Sequence, residues 1–397
     1  MFKLDGESES ICAEVITVKK IELPSVFELD FYRQQQPEFA YLAYEDALEN
    51  YRANGISMGH LSSHGALRGH LLDYAKKEGS ILEIGPFHAP SITGDNVRYM
   101  DVLSTEELLE AVKTAGHEIS NVPEIHYVAP KGGFDMVDRK FAAVFSGHCI
   151  EHQPDLIRHF QGVSSVLEDG GRYYIACPDR RYCFDHYLPE TAVVDILAAY
   201  HAQRKVHSAR TFLAQRLHRS HNDAGRHWAG DHGAPSCQDY RELRKELFID
   251  LPGENDYHDA HAWQFTPTSF FEIINFLHEA GLIEFSVERV YHTRFATQEF
   301  TAVLRKGAID LDRNEVFLDQ IPVKSVVAAV KIENKGLQTE IDLLKKQVEE
   351  LRFQKNSGEK LVEHLNGELA SIRASRSWAV TRPLRKLTAQ FGMGRRK

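Results

Sequence analysis

Apolar residues between positions 31 and 78 recur at helical spacing: Phe39, Leu42, Ala43, Leu48 and Tyr51, then Leu61, Leu67, Leu71 and Leu72. That spacing collects them on one buried face and predicts a mostly helical N-terminal extension over residues 1–78. Within it, residues 11–23 form a strand-like patch in which Val15, Ile16 and Val18 lie among polar neighbours. From residue 80 the pattern changes to short apolar runs separated by helical stretches. Strands are predicted at 80–84, 97–102, 125–128, 141–145, 172–177, 284–292 and 300–304, and helices at 105–115 and 155–167. Strands that alternate with helices pair in parallel through crossovers, so the expected fold is α/β, a doubly wound Rossmann-like sheet. The last two strands are joined by a short turn and predict a terminal antiparallel hairpin. This body covers 79–306 and is interrupted by an insertion at 180–265, rich in His and Arg, that is expected to form helices and loops and to cover a substrate.

Beyond Lys306 the chain turns polar, giving a linker at 307–332, and then becomes heptad. Leu337, Ile341, Leu344, Val348 and Leu351 alternate by four and three, and the register resumes at Val362, Leu365, Leu369 and Ile372. Lys355 and Gly358 fall on the same seam and weaken it. A coiled coil over 333–373 is predicted, and with it a homo-oligomer.

Charge sharpens the picture. The net charge of −10 argues against a nucleic-acid binder. Eight Lys or Arg and no acid lie between Arg373 and Lys397, leaving 39 basic against 57 acidic residues in 1–372. The segment 374–397 mixes this charge with Trp378, Val380, Leu384, Leu387 and Phe391, the composition of an interfacial anchor for an anionic membrane surface. No run of eighteen apolar residues exists to span a bilayer. The beginning of the chain does not read as a secretory signal. The five cysteines (Cys12, Cys149, Cys177, Cys183 and Cys237) are widely spaced without a CxxC and read as reduced thiols. The expected location is cytoplasmic, at the inner face of the plasma membrane where the tail engages it.

Candidate chemistry begins at Ile81-Leu82-Glu83-Ile84-Gly85-Pro86-Phe87-His88-Ala89-Pro90. A buried strand ending in acid-x-Gly presents backbone without a Cβ where a ligand can approach closely. Nucleoside cofactors bind at such carboxyl ends in doubly wound sheets. The second strand ends in Met100-Asp101-Val102, where a carboxylate can accept both hydroxyls of a ribose. Next come Phe145-Ser146-Gly147-His148-Cys149-Ile150-Glu151-His152 and the strand that ends at Cys177-Pro178-Asp179.

LEIGP, the MDV acid, FSGHCIEHQPDL and LEDGGRYYIACPD together resemble class I S-adenosylmethionine-dependent methyltransferases of the type with an IEH segment after the fourth strand. The resemblance covers roughly residues 80–306 and implies S-adenosyl-L-methionine as cofactor. By that pattern Glu83 and Gly85 line the methionine end, Asp101 takes the ribose, and His148 lies close to the cofactor; Pro86, Val102 and Ser146 complete the expected binding set. The Phe87–Pro90 stretch departs from the pattern. Two prolines and no further glycine stiffen the first loop, so the helix that usually follows is expected to be shortened or missing.

Methyl transfer to a hydroxyl calls for a base, and histidine titrates near neutrality. His152 and His261 are the candidate catalytic residues. Asp179, Arg180, Arg181 and His258 are candidate substrate contacts. Fourteen of the 21 histidines lie between 148 and 292. His148 with Glu151 and His152, or His258 with His261, could supply metal ligands on a turn. No HExxH and no Cys/His quartet at zinc spacing is present, so no metal is expected.

The SRSWAVTRPLR stretch resembles a short motif found after coiled coils in bacterial surface-polysaccharide glycosyltransferases and their companion methyltransferases. It implies a sugar hydroxyl of a glycan as acceptor and a glycosyltransferase as partner. Two other readings remain open: a degenerate methyltransferase-fold scaffold that recruits glycosyltransferases, and a cytosolic small-molecule methyltransferase.

Overall fold

The computed structural model describes residues 21–130, 132–236, 258–320 and 326–382, with side chains from 341 onward in the last stretch. Most of the strand-like patch at 11–23, together with Cys12, Cys237, Leu384, Leu387 and Phe391, lies outside the described residues. The chain divides into two compact units, Met1–Ala329 and Val330–Lys397.

Seven strands build the sheet of the first unit: β1 (Ile81–Ile84), β2 (Val97–Asp101), β3 (Tyr127–Val128), β4 (Phe141–Gly147), β5 (Leu167–Pro178), β6 (Phe285–Tyr291) and β7 (Glu299–Lys306). Their order is β3-β2-β1-β4-β5-β7-β6. The first five pair in parallel, and β7 runs antiparallel to both β5 and β6. This is the doubly wound sheet with a terminal hairpin that the alternating pattern predicts. All four residues of β1 and most of β4 are buried, as continuous apolar runs covered on both faces must be.

Helix boundaries follow local chemistry. Thr105–Thr114 starts at a capping box in which Ser104 and Glu107 satisfy each other's backbone N–H groups. The Asp155 carboxylate accepts from Arg158 N and starts Leu156–Val166. Thr266 and Ser269 cap Pro267–Glu279, with proline in the first turn. Between β1 and β2 no helix forms. The helix predicted to run to residue 167 stops at Val166, and β5 begins there instead. The register between β4 and β5 then shifts across the Gly170-Gly171 turn. A Cβ on Gly171 would lie 2.9 Å from the Ala142 carbonyl oxygen, so this turn requires glycine.

The N-terminal helices are fastened to the hairpin edge of the sheet. Tyr291 Oη donates to the Pro24 carbonyl at 2.8 Å, and Thr301 Oγ1 donates to that of Gly65 at 2.7 Å. At the centre of this seam Arg172, 4% exposed, donates through Nε and Nη2 to Glu288 at 2.8 Å, through Nη1 to Glu78 at 2.6 Å, and through Nη2 to the Ile21 carbonyl.

The second unit holds all but the first four residues of the long helix Val326–Ala374, and the short Arg376–Val380. Ile341, Leu344, Val348, Leu351, Val362, Leu365, Leu369 and Ile372 are all exposed on it, between 44 and 63%. Among the described residues no helix is long and apolar enough to cross a membrane.

Two stability predictions follow from these burials. Removing one partner of a buried, fully hydrogen-bonded ion pair typically costs about 3–5 kcal/mol, and Arg172→Ala is expected to lose that much in urea unfolding. His292 is buried and donates from Nε2 to the Leu318 carbonyl at 2.7 Å; burial pushes its imidazole down to about 4. Unfolded histidine titrates near ~6.5. As pH falls below that value the unfolded chain takes up a proton that the folded chain refuses, so stability declines from there down to about 4. His292→Asn is expected to flatten the dependence of the urea-unfolding free energy on pH over that window, by roughly 1.4 kcal/mol per pH unit.

Candidate active site at the carboxyl ends of β1, β2 and β4

In a doubly wound sheet the chain leaves the two central strands toward opposite faces, opening a crevice at their carboxyl ends. Here that crevice lies beyond β1 and β4 and holds a cavity of about 680 Å³. Gly85 turns the chain off β1 at φ +68° while its N–H donates to the Met100 carbonyl at 2.9 Å. The loop that follows carries Phe87 at φ +45°, a left-handed conformation that disfavours a bulky side chain. Glu83 holds this loop: its carboxylate accepts from Ser91 N at 2.7 Å and Ile92 N at 3.0 Å. Burial raises the Glu83 carboxyl above the usual range, and those two N–H groups work in the opposite sense.

At the end of β2, Asp101 accepts from Leu103 N at 3.1 Å, and burial lifts its carboxyl above the usual value. Leu103, Leu108, Ala129 and Phe134 form an apolar wall beside it.

The end of β4 is built differently. Gly147 leaves room for Arg68, whose guanidinium would overlap any Cβ there. His148 follows at φ +52° and is anchored by its N–H on the Ala176 carbonyl at 2.9 Å. A single 3₁₀ turn, Ile150–His152, then buries Glu151 completely. The Glu151 carbonyl accepts from Ala262 N and Trp263 N, so the segment returning from the insertion lies alongside this turn.

Three histidine–carboxylate pairs converge on the turn. His148 Nε2 meets Glu299 at 2.8 Å, His152 Nδ1 meets Asp259 at 2.7 Å, and His261 Nδ1 meets Asp185 at 2.6 Å. Their other ring nitrogens face one atom, Glu151 Oε1: His148 Nδ1 at 3.9 Å, His152 Nε2 at 3.6 Å and His261 Nε2 at 4.0 Å. The His152 and His261 rings pack edge to face with centroids 4.5 Å apart. Burial opposes the charged form of His152, yet the Asp259 hydrogen bond and the nearby Glu151 charge outweigh it and raise the imidazole above its usual value. Burial likewise works to raise Glu299, but His148 and Arg68 hold its carboxyl below the usual range.

Of the residues singled out in the sequence, Glu83, Gly85, Pro86, Asp101, Val102, His148 and His152 line this one cavity, joined by Arg68 and Asp259. Ser146 does not. Its side chain is fully buried with Oγ 2.7 Å from the Tyr173 hydroxyl, inside the sheet packing. His261 lies behind His152 rather than on the cavity wall, only 7% exposed. Asp179, Arg180 and Arg181, expected to contact substrate, are committed elsewhere. Buried Asp179 binds Arg181 Nη2 at 2.6 Å and Thr293 Oγ1 at 2.6 Å, and Arg180 donates to the Leu188 and His186 carbonyls, fastening the base of the insertion. His258 is exposed, its ring edge-on to Phe212, away from the cavity lining. Arg68, Asp185 and Glu299 carried no local signal, because they reach the site from distant segments. Glu151 and Asp259 sit inside the IEH and YHDAHAW runs, where the neighbouring histidines drew the attention. The absence of a linear zinc motif argued against a metal, yet the structure draws Glu151, His152 and His261 together across the insertion.

No protein-family model and no curated protein matches the chain. Among solved structures it is similar to the glycopeptide N-methyltransferase MtfA, 17% identical over 28% of this chain and 53% of that one, with a TM-score of 0.22. It therefore spans about half the length of that relative. It is also similar to an S-adenosylmethionine-dependent methyltransferase from Clostridium acetobutylicum ATCC 824, 10% identical over 70% of this chain and 97% of that one, with a TM-score of 0.31. A third is the CcbJ methyltransferase from Streptomyces caelestis, 15% identical over 61% and 89%, with a TM-score of 0.31.

Because Glu83 holds two loop amides, Glu83→Gln is expected to destabilise the fold by about 1.5–3 kcal/mol, the range for hydrogen bonds to a charged group. Urea unfolding measures the loss, and increased proteolysis within residues 86–92 would locate it.

Proposed function

We propose that the chain is an S-adenosyl-L-methionine-dependent methyltransferase that O-methylates a sugar hydroxyl during the biosynthesis of a bacterial cell-surface, O-antigen-like glycan. The observation that carries the reading is that one cavity holds both the Asp101 carboxylate at the end of β2 and His148, His152 and Asp259 of the cluster after β4. The cavity's size falls among ordinary small-molecule sites, roughly 300–1,000 Å³.

The residues present fit this cofactor. Asp101 accepts from Leu103 N, and its carboxylate lines the cavity where ribose hydroxyls would sit. Leu103, Leu108, Ala129 and Phe134 suit a purine face, and Gly85 keeps side-chain atoms away from the strand end. When bound, the cofactor supplies an electrophilic methyl carbon on a sulfonium that departs as a neutral thioether. What the protein adds is alignment and proton removal. An acceptor hydroxyl lying against His148 and His152 would lose its proton to the cluster as the carbon–oxygen bond forms. His261, held by Asp185, positions His152 from behind.

The acceptor class rests on the SRSWAVTRPLR resemblance together with the basic tail, which would hold the enzyme at an anionic inner membrane surface where lipid-linked glycan is assembled. A glycosyltransferase acting on the same glycan is the natural partner. The exposed apolar seam of Val326–Ala374 suits pairing with further copies of the chain, since eight such side chains left in water are costly.

A second reading is a scaffold that keeps the sheet but not the reaction, favoured by the strained, glycine-poor Phe87–Pro90 loop. A third, a cytosolic small-molecule methyltransferase, would need no anchor; membrane recovery unchanged by truncation at Ile372 would favour it. Calorimetry with S-adenosylmethionine separates enzyme from scaffold. Micromolar binding, weakened about 10- to 100-fold in Asp101→Ala as expected for one lost charge-assisted contact, is the expected result. No heat, and no rise in melting temperature with the ligand, would leave the scaffold. Mass analysis of surface glycans from cells lacking the protein, seeking the loss of one methylene mass, then tests the acceptor.

A further inference from the structure

A fully buried carboxylate normally accepts hydrogen bonds or loses its charge. Glu151 is buried completely, and among the described residues neither of its oxygens accepts one. Oε1 instead faces three imidazole nitrogens at 3.6, 3.9 and 4.0 Å, each beyond hydrogen-bond range. Each of these imidazoles has its opposite nitrogen on a carboxylate: Glu299, Asp259 or Asp185. A carboxylate on the far nitrogen places the proton there and turns a lone pair inward. This is the outer arrangement that accompanies metal-bound histidine.

We infer that Glu151, His152 and His261 bind a divalent first-row transition cation of the zinc class and leave its fourth position open. Imidazole and carboxylate together suit such a cation rather than magnesium or calcium. Donor atoms around a tetrahedral zinc stand roughly 3.3 Å apart, given metal–ligand distances near 2.0–2.1 Å. The Glu151, His152 and His261 atoms already lie within 4.8 Å of one another, so a modest inward movement closes the site.

The site explains why the return segment is drawn against the turn after β4. His261 comes from that segment, and Asp185 and Asp259 lie at the two ends of the insertion. It also deepens the proposed reaction, and in that part it rests on the methyltransferase reading. His152 lines the cavity, so a cation bound to it can take an acceptor oxygen in that open position and lower the pKa of the hydroxyl. The hydroxyl proton then passes to His148, the carbon–oxygen bond forms, and the carbon–sulfur bond breaks with its electron pair left on sulfur.

The test titrates the chelator-treated full chain with Co²⁺ and reads the visible absorption of the bound ion, with retained Zn²⁺ measured by atomic emission after dialysis. A second histidine cluster, His186, His227 and His232, could also hold an ion, so each titration is repeated in a His227→Asn background. One equivalent is expected to survive His227→Asn. That equivalent should weaken at least a hundredfold in Glu151→Gln and His261→Asn, and 10- to 100-fold in Asp185→Asn. Circular dichroism and S-adenosylmethionine calorimetry on the same variants report folding and the nucleoside site. No bound equivalent, or one lost only with His227→Asn, overturns the inference and leaves an ionic histidine–carboxylate cluster. Metal binding without nucleoside binding would sink the proposed function instead, so the two failures are distinguishable.

Discussion

One buried carboxylate organises this molecule's chemistry. Glu151 is fully buried, and the groups gathered around it come from widely separated parts of the chain. His148 and His152 come from the turn after β4, His261 from the segment that returns to the sheet, Glu299 from β7, and Asp185 and Asp259 from the insertion. The strand order makes this possible. β5 lies between β4 and β7, so the ends of β4 and β7 are close enough for Glu299 to reach His148. The backbone bonds from Ala262 and Trp263 to the Glu151 carbonyl then bring the insertion's far end onto the same turn.

The strands were largely legible in the sequence, because buried parallel strands read as uninterrupted apolar runs. β1, β2, β4 and β6 lie within about two residues of where the pattern places them. β3 is shorter, with only Tyr127 and Val128 pairing at the sheet margin. The register shift in β5 was not visible, since it depends on Gly171 approaching the Ala142 carbonyl across strands. The stiff first loop was legible from its prolines, but what holds it was not. Glu83, read as a ligand contact, lines the cavity and also accepts from Ser91 and Ile92.

The same distinction separates the site residues. Strand-end positions such as Gly85 and Asp101 can be located from strand periodicity alone, because their place is fixed by where a strand stops. Asp179, Arg180 and Arg181 also follow a strand end, but their charges neutralise one another or bind carbonyls, which linear spacing does not reveal. Ser146 differs again. A small polar residue next to a functional glycine reads as cofactor-facing, yet strand alternation turns it into the packing, where the Tyr173 hydroxyl satisfies it. Arg68 shows the opposite case. It reaches the cavity from the N-terminal helices, its guanidinium occupying the space that Gly147 leaves open.

The loop after β1 carries a consequence for exchange of whatever the cavity holds. With Phe87 already in its left-handed conformation and Glu83 binding the amides of Ser91 and Ile92, little backbone freedom is left to surrender when a ligand enters. The entropic toll was met when the chain folded. Exchange of a ligand then asks little backbone rearrangement of this side of the cavity.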